Sequence, residues 1–260
     1  GNLLLAGTQA CKATEQAKAV LAADSNNADA YALLSSIASA KGDRAEALTQ
    51  IQHAISIDPK KAGYHASLGF LESSDPAKAA SAEEELRKAV SLDGKNVTAH
   101  LILAALLEKK GDMPGAEGEM KAAIAADPTS INARGSLANH YLRQGNPAKA
   151  EETLLKAAED LNEDSTGSDL LASYYIRTQQ LDKAAAAYSG LVSKYPKSAP
   201  LKLAYAQVLL QKHDIPKVKE IAAELTKTDS DRPEVAVLNS MLLLNDGKTD
   251  DAFNLLQKSA

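Results

Sequence analysis

A period of 34 residues constrains this chain more than any other feature. The segment from Ala28 reads ADAYALLSSIASAKGDRAEALTQIQHAISIDPKK, and the segment from Val97 reads VTAHLILAALLEKKGDMPGAEGEMKAAIAADPTS. Both place Gly-Asp at positions 15 and 16, Ala at 20 and 27, and Asp-Pro at 31 and 32. Gly42, Ala47, Ala54 and Pro59 therefore match Gly111, Ala116, Ala123 and Pro128. The frame continues through 131–164 (Gly145, Ala150, Ala157), 165–198 (Ala172, Ala184, Pro196) and 199–232, and it fits 233–260 with Gly247 and Ala252. Only 62–96 departs, with one extra residue around ESSDPAKAAS. Read backwards, the frame puts Gly1 at position 8 and Ala13 at position 20 of a partial repeat, 1–27. A fixed period of this length marks one supersecondary unit that buries its apolar face by stacking on its neighbours.

Both halves of the unit have helical apolar spacing. Tyr31, Leu34 and Ala38 form one stripe, and Ala47, Leu48, Ile51, Ala54 and Ile55 form another. Gly42 accepts the positive φ that ends the first helix, and Asp43 can cap the next. Asp58-Pro59 stops the second helix, because the proline ring and its missing N–H bar continuation. The punctuation predicts about sixteen helical segments, the first of them truncated. Breaks are expected near 7–9, 24–27, 42–43, 58–61, 73–76, 93–96 and at each later step of the period, with the 73–76 turn the longer one. Aromatic residues make up only 4% of the chain, Trp is absent and Ala recurs throughout, which suits helices packed closely over a thin, extended interface.

This spacing resembles the tetratricopeptide repeat (TPR), and the resemblance covers the whole chain. It implies an all-α fold, a right-handed α-solenoid of stacked helix–turn–helix repeats. The array is read as single over 1–260, with repeats 28–61, 62–96, 97–130, 131–164, 165–198 and 199–232 between partial repeats 1–27 and 233–260. The resemblance also implies that the first helix of each pair lines a concave groove, and that the protein binds other proteins rather than performing chemistry. The phrases GNLLLA and LAADSNNADAY further resemble large bacterial TPR proteins of exopolysaccharide export and exosortase systems. That likeness implies a multiprotein assembly of the bacterial envelope, in the periplasm rather than the cytoplasm.

Other classes fit poorly. A net charge of −5 argues against an electrostatic nucleic-acid binder. No apolar run approaches the length of a membrane span. The single cysteine, Cys11, excludes an internal disulfide framework and a thiolate zinc site. GNLLLAGTQAC looks like the end of a lipoprotein signal, but it lacks a basic region, its apolar run is short, and Thr8 stands where such signals carry Leu. The repeat register accounts for it better.

No cofactor, metal or catalytic residue is expected, and the chain is read as a non-enzyme. His65 and His100 occupy the place of Tyr31 in their repeats and are read as packed between helices, with no second ligand for a metal. His53, His140 and His213 are dispersed. GDMPGAEG is a helix–turn–helix junction with no preceding strand, and Ser136 in RGSLAN sits mid-helix. Glu83-Glu84-Glu85 and Asp250-Asp251 are expected early in helices, facing solvent. Cys11 falls at position 18, a solvent-facing place that suits an inert thiol.

The groove carries the functional expectation. By the resemblance, positions 2, 5, 9, 12 and 13 of each first helix point into it. Repeat 131–164 presents Asn132, Gly135, Asn139, Leu142 and Arg143 there. Repeat 165–198 presents Thr166, Asp169, Ser173, Ile176 and Arg177, and 199–232 presents Leu203, Gln207, Leu210 and Gln211. Asn139, Ser173 and Gln207 are one period apart and form a polar ladder, with Arg143 and Arg177 in a row beside it. Amides hydrogen-bond an extended backbone and Arg grips a carboxylate, so the groove is read as a peptide site. The alternative is a solvated groove with incidental polar residues. The family's carboxylate clamp does not transfer, because Gly135 replaces its Lys and Leu170 its second Asn, and repeat 97–130 fails with Leu101 and Ala105.

The last first helix, PEVAVLNSMLLLNDG, is apolar on nearly all sides. Leu238, Leu242 and Leu243 make an ordinary packing stripe, and Val237, Met241 and Leu244 add a second. A helix apolar all round is normally buried all round. This patch is therefore expected to be covered by further repeats, by a partner or by another copy. Two alternatives to a groove-binding scaffold follow: an array that self-associates through its repeat ends, and an appendage that recruits substrates for a catalytic domain elsewhere.

Overall fold

The computed structural model describes residues 2–259, with side chains described for 11–258. Gly1, the proposed position 8 of the partial repeat, lies outside the described residues. Fifteen α-helices and one 3₁₀ turn follow one another among the described residues, with no strand. The chain divides into two compact units, residues 1–133 and 134–260.

The first unit contains α1 (Asn2–Ala23), α2 (Ala28–Ala40), α3 (Arg44–Ile57), α4 (Ala62–Ser73), a 3₁₀ turn (Pro76–Lys78), α5 (Ala79–Leu92), α6 (Val97–Lys110) and α7 (Met113–Ala126). Hairpin partners α2–α3, α4–α5 and α6–α7 pack together, and α3 continues onto α4 and α5 onto α6. The second unit takes in all but the start of α8 (Ile131–Arg143). It continues through α9 (Pro147–Asp160), α10 (Ser165–Arg177), α11 (Leu181–Lys194), α12 (Ala199–Gln211), α13 (Ile215–Thr228), α14 (Pro233–Asn245) and α15 (Thr249–Ser259). Here α9 packs on α10, α11 on α12 and α13 on α14, while the first helices α10, α12 and α14 also touch in sequence.

Local chemistry sets the helix ends. Gly42, Gly111, Gly145 and Gly247, all at position 15, have φ of +80°, +85°, +68° and +75°. That left-handed turn is the usual helix stop. Gln179 and His213 hold the same position in their repeats without being glycine, and they too are left-handed, at +55° and +58°. Acceptor side chains then start the next helices: Asp43 caps Glu46 N–H, Asp112 caps Gly115 N–H and Asp214 caps Lys217 N–H. In repeat 62–96 the extra residue goes into the 3₁₀ turn, opened by Asp75 and Pro76.

Small residues allow the helices to close. Position 8 is buried as Ser35, Ala104, Ala138, Ala172, Ala206 and Ser240, and position 20 as Ala47, Ala82, Ala116, Ala150, Ala184 and Ala252. Ser35 Oγ donates to the Ala47 carbonyl across the hairpin at 2.7 Å. At Gly69, also position 8, a Cβ would lie 2.6 Å from Leu86 Cγ. In α10, a Cβ on Gly167 would lie 2.4 Å from the Ala157 carbonyl oxygen.

The expected break near residues 7–9 is absent, because α1 runs unbroken from Asn2 to Ala23. Gly7-Thr8 is not a Gly-Asp pair, and a lone glycine costs a helix interior only about 1 kcal/mol relative to Ala. The flanking Leu, Ala, Gln and Lys residues are good helix formers and carry the helix through.

Candidate peptide-binding groove

Side-chain pairs tie the two helices of several hairpins together, and position 4 is their common site. Tyr31 stacks on His53 with ring centroids 5.3 Å apart. His65 Nδ1 meets Glu85 Oε2 at 2.6 Å, and its Nε2 meets the Pro59 carbonyl at 2.9 Å. His100 repeats the arrangement, with Glu119 Oε2 at 2.6 Å and the Gly94 carbonyl at 3.1 Å. In the second unit Arg134 donates to Asp160 Oδ2 at 2.7 Å, and Lys202 to Glu224 Oε1 at 2.7 Å. Each pair joins a first helix to the second helix of its own hairpin.

These contacts bear on two sequence expectations. His65 and His100 are packed between helices as expected, each ring held by a carboxylate on the second helix and a carbonyl of the preceding turn. The Glu83-Glu84-Glu85 run does not simply face solvent. Glu83 is buried and paired with Arg87 and Lys110, Glu85 holds His65, and Glu84 alone of the three is exposed. Glu83 is a buried carboxylate, and the two cations at its rim, Arg87 and Lys110, stabilise it where an unpaired one would be expelled. His213 is accounted for as a turn residue, and Cys11 is exposed.

The five groove residues named from the sequence all lie exposed on the second unit: Asn139 and Arg143 on α8, Ser173 and Arg177 on α10, and Gln207 on α12. Asn139, Ser173 and Arg177 border one recess of about 80 Å³, together with Gly135, Leu142 and Leu170. Gln207 and Arg143 lie outside that recess. Gly135 opens it, since the nearest atom to a Cβ there would be Leu170 Cδ1 at 3.9 Å. Beside the polar row, Leu142, Ile176 and Leu210 at position 12 are half-buried, and Leu244 continues the row more exposed. At position 5, burial raises the pKa of Asp169 above the ordinary carboxylate value; Asp164 and Glu234 add to this, against a lowering hydrogen bond with Ser165. The first helices of this unit thus carry a basic margin at Arg143 and Arg177, an apolar row, a polar row and an acidic margin at Asp169.

Sequence reading passed over the first unit. There Ser36, Ser39, Ala66, Ser67, Phe70 and Ile102 line a recess of about 700 Å³. Phe70, at position 9, is 55% exposed. The positional rule that selected Asn139 would have found it.

Val237, Met241 and Leu244 are exposed on α14, so nothing within the described chain covers them. On α15, Leu256 at position 24 is 39% exposed, whereas its equivalents Ile51, Leu86, Leu154, Tyr188 and Ala222 are buried. Phe253 is also exposed on that helix. No described helix is long and apolar enough to cross a membrane.

Several solved structures share the fold. The yeast Tom70 structure has a TM-score of 0.52 at 15% identity, covering 96% of this chain and 54% of that one. PilF of Pseudomonas aeruginosa has a TM-score of 0.50 at 19% identity, covering 82% and 97%. PilW, a type IV pilus biogenesis factor, has a TM-score of 0.50 at 18% identity, covering 90% and 92%. Compared with the curated proteins, the sequence matches none. The pattern of the tetratricopeptide repeat matches residues 28–61, 66–131, 111–174 and 175–242. With its hairpins stacked in that register, the chain belongs to the tetratricopeptide-repeat family, a family of protein–protein interaction scaffolds.

Proposed function

We propose that this chain is a non-catalytic scaffold that takes an extended segment of a partner protein along the groove of its second unit. Asn139, Ser173 and Gln207 bond the backbone of that segment, and Arg143 and Arg177 take its carboxylates. One observation carries the reading. Asn139, Ser173 and Arg177, three hydrogen-bonding groups from adjacent hairpins, border a single recess beside an apolar row. Such a surface offers both the polar and the apolar contacts that a peptide needs. The sequence resemblance of the N-terminal segment supports a bacterial envelope assembly as the setting. A photo-crosslinking residue in place of Ser173 tests the site, with one in place of the exposed Ala186 on α11 as control. Adducts from position 173 alone support the groove, and equal yields from both positions contradict it.

The exposed stripe of Val237, Met241 and Leu244, with Phe253 on α15, supports a second contact. This end of the second unit accepts another repeat, a partner helix or a second copy of the chain. Sedimentation at rising concentration, repeated with Met241→Lys and Leu244→Glu, separates self-association from the others.

A further inference from the structure

We infer that the segment bound by the second unit is a left-handed polyproline II stretch with an apolar residue at every third position and acidic residues along one flank. The inference rests on the groove reading above and adds the conformation and chemistry of the occupant. Its first support is a match of periods. Consecutive first helices α10, α12 and α14 pack against one another. Packed helices lie about 8–10 Å apart, so the row of Ile176, Leu210 and Leu244 repeats at about that interval. A polyproline II chain has three residues per turn at about 3.1 Å each, which returns a side chain to the same face about every 9 Å. A β-strand returns after two residues, about 6.7 Å, and falls out of step within two hairpins.

The polar row decides against an α-helical occupant. Polyproline II has no internal hydrogen bonds, so its N–H and C=O groups need partners. Asn139, Ser173 and Gln207 are exposed beside the apolar row and offer both donors and acceptors. An α-helix has spent its backbone groups internally and would leave this row unused.

Charge fixes the flank. Arg143 and Arg177 at position 13 lie at the C-terminal ends of their helices, and Asp169 and Glu234 lie toward the N-terminal ends of α10 and α14. A segment lying across these helices meets cations on one side and carboxylates on the other. Acidic residues belong on the first side, and neutral or basic ones on the second.

A display library of random twelve-residue peptides, selected on the full chain, tests the inference. Counter-selection uses the variant N139A/S173E/R177A, whose far-ultraviolet circular dichroism is checked for intact helix. Groove-dependent binders with apolar residues at i, i+3 and i+6 and an excess of Asp and Glu are expected. A synthetic binder should lose at least tenfold in affinity when its apolar residues are re-spaced to every second position. It should lose a similar factor when its acids become Lys. Groove-dependent binders with another spacing, or with basic flanks, overturn the inference and leave the groove reading standing. No groove-dependent binder at all overturns both.

Discussion

Lys202, almost wholly buried, places its ammonium 2.7 Å from the Glu224 carboxylate, whose side chain remains 56% exposed. The two ends of this pair are therefore unequal. Removing Glu224 strands a cation in the hairpin interior, whereas removing Lys202 leaves a carboxylate that water can solvate. Glu224→Ala should cost on the order of 2 kcal/mol, below the roughly 3–5 kcal/mol of a fully enclosed pair. Lys202→Met, which fills the same space without a charge, should be neutral or stabilising. Urea unfolding of both variants checks the order, and equal losses would show that the pair does not work this way.

Gln179 and His213 stand in left-handed turns where the other repeats use glycine. An L-residue there costs about 1–2 kcal/mol, and glycine gives back about 0.5–1 kcal/mol through its freer unfolded chain. Gln179→Gly should stabilise the second unit by about 0.5–1 kcal/mol. His213→Gly should gain less, because histidine enters this region more readily than glutamine. Thermal unfolding of the two variants is the check.

Glycines inside the helices divide into two kinds. At Gly167 a Cβ would press on the Ala157 backbone carbonyl, which cannot rotate away, while at Gly118 and Gly190 it would meet nothing within 4 Å. Gly167→Ala should lose about 1–3 kcal/mol by overpacking. Gly118→Ala and Gly190→Ala should each gain about 0.5–1 kcal/mol from helix propensity. Denaturant midpoints give the signs directly.

Asp160 sets an acid limit on the second unit. Burial raises its pKa, but hydrogen bonds from Arg134 and Lys156 outweigh burial and hold it below the ordinary carboxylate value. A depressed carboxyl contributes stability above its unfolded pKa, near 3.9, and loses it as pH falls through the folded value. The deficit of Asp160→Asn relative to the parent should therefore be larger at pH 7 than at pH 3. Urea unfolding at both values measures it, and a deficit independent of pH would contradict the assignment.

The turns were legible because one residue type decides each. Gly-Asp and Asp-Pro act through backbone conformation and capping, so Gly111-Asp112 declares a break whatever packs around it. Gly7 lacked the Asp and made no turn. The position-4 pairs were not legible, because the partner acid stands at position 23 for His65 and His100, 26 for Lys202 and 30 for Arg134. Side-chain length selects the partner, and only the packed hairpin reveals it. The groove rows followed from the period, while the recess beside Phe70 needed the same rule applied to the first unit.

The central claim is that the second unit binds through its groove face. Arg143→Ala combined with Arg177→Ala tests it most directly, by calorimetric titration with a crosslinked and identified partner. Each lost charged hydrogen bond should cost about 1.5–3 kcal/mol if desolvated on binding, and well under 1 kcal/mol if it stays wet. The account predicts at least a tenfold loss of affinity with little change in melting temperature, since both side chains are exposed and exposed contacts contribute little to stability. Unchanged affinity in the folded double variant would leave the arginines without a part in binding and contradict the groove.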